Sequence, residues 1–150
     1  MEERLKQLLL QDLCARLPYD IICEVFDPQQ EYEEDVFNAH LIQIDAWTSH
    51  CYFWGCSETD PYDIEQVKPY LRPMSSMTEE ESKEYRKTQI TKWVKSVDCT
   101  NGGYYEHRDT LKTFDWLNAH HFDFRNLIKR GLAIEISEKN NPYNTRRGKK

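Results

Sequence analysis

The chain has 150 residues and a formal net charge of −6, and 39% of its residues are hydrophobic, 13% aromatic and 31% charged. This is the length of one ordinary domain, with enough apolar residues for a core that needs no disulfide or metal to hold it. No apolar run approaches the roughly 18 residues of a membrane span, and the opening segment MEERLKQLLLQDL carries acids where a signal peptide has a basic region. We therefore expect a soluble, cytoplasmic protein with no membrane partner.

Charge is divided unevenly along the chain. The segment after Ile136 contains one acid and five bases, or +4, so residues 1–136 carry −10. Affinity for a polyanion comes mainly from neutralised phosphates, and this acidic part is a poor binder of nucleic acid and better suited to a basic partner. We expect a single α+β domain at 1–136 and a flexible basic tail at 137–150, which has few apolar residues. The five bases are Lys139, Arg146, Arg147, Lys149 and Lys150.

The first half of the chain predicts a helix and then a small sheet. Leucines on one helical face predict a helix at 4–17, which Pro18 ends. Aromatic and β-branched residues then predict strands at 20–27, 35–47 and 50–56, and a last one within 62–71. Pro69 limits that last strand to a sheet edge or a strand end, because proline lacks the N–H for a second partner. These strands predict a mostly antiparallel meander or an SH3-like half barrel.

In the second half, the hydrophobic period changes from two to 3.6. Thr78 and Glu81 have the spacing of a capping box, which predicts a helix within 75–98. Its buried stripe would contain Ile90, Trp93, Val94 and Val97. The sequence NGG at 101–103 predicts a turn, and a third helix is expected from Asp109 or Thr110 towards His121.

The segment WLNAHHFDFRNLIKRGLAIE, residues 116–135, contains adjacent histidines followed by an aspartate. His120 and His121 would point about 100° apart on a helix, so they are poorly placed to share a metal. Asp123 suits the N-cap of a short helix that ends at Gly131. We therefore expect a helix–helix junction here rather than a metal or acid–base site, followed by a strand at 132–136.

The motifs of common catalytic and cofactor sites are missing from the sequence. No paired Cys or His motif of zinc sites occurs, although His50, Cys51 and Cys56 leave a composite site open. The acids of DPYDIE match no calcium loop, and no nucleophile elbow or nucleotide-phosphate loop is found. The five cysteines have irregular spacing and predict reduced thiols. The aromatic clusters CYFWG and KWV predict core residues rather than base-stacking platforms. We expect no catalytic residue, bound metal or cofactor.

Three stretches resemble a family of short proteins encoded on phages and other mobile elements of gut anaerobic bacteria, to which no activity is assigned. They are DLCARLPY (12–19), VKPYLRPMSSMTEEE (67–81) and FDWLNAHHFDFRNLIKRGLAIE (114–135). That family more usually has glycine at the positions of Asp20 and Asn126. The resemblance implies an accessory protein of a mobile element, a class that includes small acidic inhibitors of host defence such as the anti-CRISPR proteins.

From charge and resemblance together, we predict a non-catalytic binder of a host protein. The predicted partner is a defence enzyme that handles nucleic acid, such as a nuclease, and the binder would inhibit it. Acidic surface would steer the encounter, and two tyrosines after the glycine turn would supply affinity. One alternative is a sequence-tolerant nucleic-acid binder that uses the basic tail and these tyrosines. A second is a metal-assisted hydrolase that uses Cys51, Cys56 and a histidine. The predicted protein-binding residues are Glu31, Glu33, Glu34, Asp35, Asp60, Asp63, Glu65, Glu79, Glu80, Glu84, Tyr104 and Tyr105.

Overall fold

The structure, a computed structural model, describes residues 1–28, 35–56, 61–89, 92–95, 104–107 and 110–144. These residues form an α+β fold, as the sequence predicts. The helices are α1 (Glu3–Arg16), α2 (Glu79–Thr88) and α3 (Thr110–Ala119). The strands are β1 (Ile22–Phe26), β2 (Val36–Asp45), β3 (His50–Phe53), β4 (Tyr62–Asp63), β5 (Val67–Leu71), β6 (Lys92–Lys95), β7 (Tyr104–His107) and β8 (Ile134–Glu135).

Within the described residues, the main sheet has six strands in the order β4-β3-β2-β1-β5-β8. The first four strands form an antiparallel meander, and β5 pairs antiparallel with the free side of β1. Strand β8 closes the order by pairing parallel with β5. The prediction of a mostly antiparallel sheet is therefore confirmed, while the SH3-like variant stays a prediction.

One face of this sheet packs against α1. Because side chains alternate along a strand, Cys23 and Val25 point to the same face, where Phe53 is also buried. Leu9 and Leu13 of α1 belong to the same fully buried cluster. We call the opposite face, which carries Glu24, Asn38, His40 and Trp54, the outer face of the sheet.

The predicted second helix is wrong in length. Helix α2 begins with the predicted capping box, in which Thr78 Oγ1 accepts from Glu81 N–H at 3.2 Å. It ends at Thr88, and residues 92–95 form a strand that pairs antiparallel with β7. Trp93 and Val94 are residues that strands favour, and here a pairing partner outweighs their helical spacing. Ile90, Val97 and the predicted turn at 101–103 lie outside the described residues.

A further correction concerns β5, and the structure describes part of the tail. Strand β5 lies between β1 and β8 rather than at an edge. Pro69 pairs with Cys23 on one side only, because the pairing with β8 involves Tyr70 and Leu71. The described part of the predicted flexible tail, 137–144, contacts the sheet through Tyr143, whose hydroxyl accepts from Ile22 N–H at 3.0 Å.

A buried ion pair joins α1 to the C-terminal part of the chain. Arg16 Nε and Nη2 donate to the two carboxylate oxygens of Asp12 at 2.7 and 3.1 Å, and both side chains are fully buried. Arg16 Nη2 also donates to Phe122 O at 2.7 Å, and Arg125 Nη1 donates to Asp12 Oδ1 at 3.0 Å. The pair is thus hydrogen-bonded to groups more than a hundred residues away.

Asp12→Ala should be strongly destabilising, because it leaves the Arg16 guanidinium buried without its counter-charge. We expect the free energy of unfolding to fall by about 3–5 kcal/mol in urea denaturation. Glu3→Ala is the matched control, since Glu3 accepts from Gln7 at the same helical spacing but on the exposed surface. Its effect should stay within about 0.5 kcal/mol, and equal losses in the two variants would contradict the argument.

Candidate binding site on the outer face of the sheet

The two histidines and the aspartate of residues 120–123 have structural roles. His120 stacks on Trp116 with ring centroids 4.0 Å apart, and its Nδ1 lies 2.8 Å from Trp116 O. The Asp123 carboxylate accepts from Leu127 N–H at 2.8 Å and Ile128 N–H at 3.0 Å. These bonds cap a run of turns, so the short helix predicted after Asp123 is wrong, although its capping residue is in place.

His121 adopts a positive φ of 61° and stacks on Tyr143 with ring centroids 4.4 Å apart. Burial lowers the pKa of its imidazole from 6.5 to about 4, and the nearby positive charge of Arg16 adds to this effect. The ring is therefore uncharged at neutral pH. A buried neutral ring in the junction is not placed to exchange protons with a substrate at that pH.

Cysteine and histidine are likewise not assembled into a metal centre. Cys51 is fully buried, and burial raises the pKa of its thiol to about 12. A metal-binding thiolate is therefore strongly disfavoured at this position. Among the residues that the structure describes, no three His, Cys, Asp or Glu side chains are grouped to hold a metal ion. This arrangement gives no support to the hydrolase alternative.

Several of the predicted protein-binding acids bind other parts of this chain. Asp63 caps the 3₁₀ turn at 64–66 and lies 3.8 Å from Lys6 Nζ. Glu65 lies 3.4 Å from the Met1 amino group, and Glu84 accepts from Trp116 Nε1 at 3.3 Å.

The remaining predicted acids are exposed or undescribed. Glu79 and Glu80 are exposed in the first turn of α2, and Asp35 is exposed where β2 begins. Glu31, Glu33, Glu34 and Asp60 lie outside the described residues.

Tyr104 and Tyr105, which the sequence predicts in a loop, lie in β7 opposite Lys95 and Val94. The expectation of a loop is therefore wrong.

A different group of residues forms a cleft on the outer face. Asp20, His40, Ile42 and Trp54 line a space of about 400 Å³. His40 and Trp54 also line an adjoining cleft of about 500 Å³, which extends towards Cys56. We call the first of these the outer-face cleft.

The cleft is positioned by the β2–β3 hairpin and by the turn before β1. Trp54 N–H donates to His40 O at 2.9 Å, which holds the indole beside His40. Asp20 adopts a positive φ of 57° after the turn that follows α1, and its Oδ1 lies 2.6 Å from His40 Nδ1. Residues far apart in sequence thus place a carboxylate, an imidazole and an indole together.

Two large apolar side chains are exposed in this cleft. Trp54 is 73% exposed and Ile42 49% exposed, while Trp47, in the turn of the same hairpin, is 96% exposed. An exposed tryptophan beside an exposed isoleucine is typical of protein-interaction sites. The sequence prediction that CYFWG is core is correct for Cys51 and Phe53 but wrong for Trp54. Strand alternation gives the signal, because the residue after buried Phe53 must face the other way.

The chemistry of the cleft suits a cationic side chain. A carboxylate can accept two parallel hydrogen bonds from a guanidinium, and an indole face attracts a cation. Ile42 offers apolar surface to the methylene groups of a lysine or arginine. The cleft therefore has the groups needed to bind a basic segment of a protein.

No protein-family model, curated protein or solved structure matches this chain. None of the helices formed by the described residues has both the length and the apolar character needed to cross a membrane.

The depressed pKa of His121 predicts a loss of stability in acid. The unfolded chain binds a proton at His121 below about pH 6.5, whereas the folded protein does so only near pH 4. The free energy of unfolding should therefore fall between these values, by up to about 3 kcal/mol, and this contribution should level off below pH 4.

His121→Asn tests this, because asparagine tolerates a positive φ and does not titrate here. Urea denaturation at pH 7, 5 and 4 should show a smaller acid-induced loss in the variant than in the unaltered protein. Resonances of the His121 ring should titrate near pH 4 in the folded protein, and a midpoint near 6.5 would contradict the argument.

Proposed function

We propose that this protein is a non-catalytic protein-binding domain that recognises a basic segment of its partner through the outer-face cleft. The observation that carries this proposal is the placement of Trp54, 73% exposed, in one cleft with the Asp20 carboxylate. An apolar anchor provides affinity, and a charge beside it selects the partner. Their combination favours binding over catalysis, since among the described residues that line the outer-face cleft no hydroxyl or thiol accompanies the His40 imidazole.

The charge of the protein supports the same partner chemistry. Residues 1–136 carry −10, so a basic partner is attracted over distances of about 10 Å at moderate salt. Glu79 and Glu80, exposed at the start of α2, contribute to this field. Steering by surface charge raises the association rate, while the aromatic anchor slows dissociation.

More specifically, we propose that this protein inhibits a host enzyme that handles nucleic acid. Such an enzyme presents a basic channel, and an acidic protein offers the same sign of charge as the phosphates that the channel holds. The resemblance to proteins of mobile elements points to the same class of partner. This inhibitory binding does not require Tyr104 and Tyr105, because Trp54 and Ile42 supply the exposed apolar surface.

Trp54→Ala should reduce the affinity for the protein captured from lysates of the host bacteria by about 30-fold, as loss of a central interface anchor costs about 2 kcal/mol. Dissociation constants would be measured for the captured partner by calorimetry or surface plasmon resonance. The matched control is Leu111→Ala, because Leu111 in α3 is also 73% exposed. It should leave the affinity within about twofold.

An equal loss in the two variants would show that Trp54 has no special role. Full affinity in Trp54→Ala would place the binding surface elsewhere and end the proposal for this cleft. Circular dichroism of each variant separates these outcomes from unfolding.

A further inference from the structure

We propose that a second cleft, beside helix α1, binds a small molecule that carries a phosphate monoester. This cleft has a volume of about 280 Å³ and is lined by Arg4, Leu5, Gln7, Leu8, Gln11 and Arg130. We call it the α1 cleft. It shares no lining residue with the outer-face cleft, so it adds a separate binding site to the proposed function.

One wall of the α1 cleft is a face of helix α1. Arg4, Gln7 and Gln11 follow one another at intervals of three and four residues, so their side chains lie on the same side of the helix. Leu5 and Leu8 lie beside them, and both are partly buried against the hydrophobic core. This wall therefore combines polar groups with an apolar base.

The opposite wall is a turn that carries Arg130. Leu132 N–H donates to Leu127 O at 2.9 Å, and Gly131 N–H donates to Ile128 O at 3.0 Å. Gly131 has a positive φ of 73°, which completes the hydrogen-bond pattern that commonly ends a helical turn. The backbone that carries the Arg130 side chain therefore has a defined position.

A buried ion pair holds the two walls together. Arg125 Nη1, in the turns after α3, donates to Asp12 Oδ1 of α1 at 3.0 Å, and the Asp12 side chain is fully buried. The Asp123 carboxylate also accepts from Leu127 N–H and Ile128 N–H, at the start of the turn that carries Arg130. Because the walls are held by these contacts, binding requires little ordering of the protein backbone.

The α1 cleft is positively charged. Arg4 and Arg130 are exposed, and neither forms an ion pair with the residues that the structure describes. The lining residues include no acid. The cleft therefore presents two guanidinium charges, although the whole chain carries a net charge of −6.

A phosphate monoester matches these charges and donors. Its phosphate group carries about −1.5 to −2 at neutral pH and has three acceptor oxygens. Each guanidinium can donate two parallel hydrogen bonds to such a group. Gln7 Nε2 donates one bond to Glu3 Oε1 at 3.1 Å and has a second N–H, and the Gln11 carboxamide adds further donors.

The size and polarity of the cleft distinguish this ligand from other anions. Leu5 and Leu8 give apolar surface to the organic part of a monoester, which inorganic phosphate lacks. The volume lies just below the range of about 300–1,000 Å³ for pockets of drug-sized ligands and so suits a small molecule. Nucleic acid is disfavoured, because the −10 of residues 1–136 repels the further phosphates of a polymer.

Phenyl phosphate is a suitable probe, because it joins a phosphate group to an apolar ring. The Nε–Hε resonances of Arg4 and Arg130, assigned with Arg4→Gln and Arg130→Gln, would be followed while the full chain is titrated. Both resonances should shift saturably with one dissociation constant. Benzoate, which lacks the second charge, and inorganic phosphate, which lacks the ring, should each bind about tenfold more weakly.

Arg4→Gln and Arg130→Gln should each weaken binding of phenyl phosphate by about tenfold or more, measured on the resonance of the remaining arginine. Arg4→Lys keeps the charge but not the planar pair of donors, so it should recover only part of the affinity. Arg86→Gln is the matched control, because Arg86 is an exposed arginine of α2 that does not line the cleft. It should leave the affinity within about twofold.

A short peptide that contains phosphotyrosine carries the same phenyl phosphate group and tests the source of the monoester. We expect it to bind no more tightly than phenyl phosphate. Affinity about tenfold higher for the peptide would support the phosphate site but assign the group to a phosphorylated protein.

Shifts that rise linearly with probe concentration, or an equal loss of affinity in Arg86→Gln, would overturn the inference in favour of general attraction to surface cations. Unchanged affinity in both Arg4→Gln and Arg130→Gln would also overturn it, because the probe would then bind elsewhere. None of these results depends on Trp54, so the proposed function would still be decided by Trp54→Ala and the captured partner.

Discussion

The buried pair of Asp12 and Arg16 is the constraint on which the rest of the arrangement depends. A charge removed from water needs a counter-charge and further hydrogen bonds, and α1 supplies only the first of these. The Phe122 carbonyl supplies another acceptor for Arg16, and Arg125 supplies another donor for Asp12. The chain at 122–125 must therefore lie against α1, which explains why the segment runs through turns instead of continuing α3.

This junction also fixes the sheet. Arg72 N–H donates to His121 O at 2.8 Å, and Asp123 N–H donates to Arg72 O at the same distance, so the residues beside Phe122 continue the pairing on β5. The Arg72 guanidinium then binds both carboxylate oxygens of Glu81, at 2.7 and 2.8 Å. Because Glu81 is also the capping-box residue of α2, one connected set of hydrogen bonds links α1, β5, α2 and the turns after α3.

The outer-face cleft results from how the sheet is covered. Among the described residues, helix α1 buries one face, and Tyr143 covers the other face near Ile22 and Tyr70. The rest of the outer face is left to Ile42 and Trp54, whose exposure carries a cost in water unless a ligand covers them. Of the acids predicted as binding residues, Asp63, Glu65 and Glu84 instead contact other parts of this chain.

Local sequence determined the elements whose signals are complete within a few residues. The leucine spacing and Pro18 gave α1, the capping box gave the start of α2, and alternation gave the meander. Asp20 and Asn126 both adopt a positive φ, at 57° and 59°. The residue types at these two turns, aspartate and asparagine, therefore indicate the backbone geometry.

Tertiary structure alone decided which elements meet. Trp93 and Val94 fit a helical stripe or a strand equally well, and the choice depended on a partner at 104–107. Trp54 follows a predicted strand and Tyr143 lies in a polar segment. The structure leaves Trp54 exposed, whereas Tyr143 packs on His121. The sequence shows which residues are apolar and how they are spaced. Whether each one is buried depends on the elements that cover it, and contacts across the whole chain fix the positions of those elements.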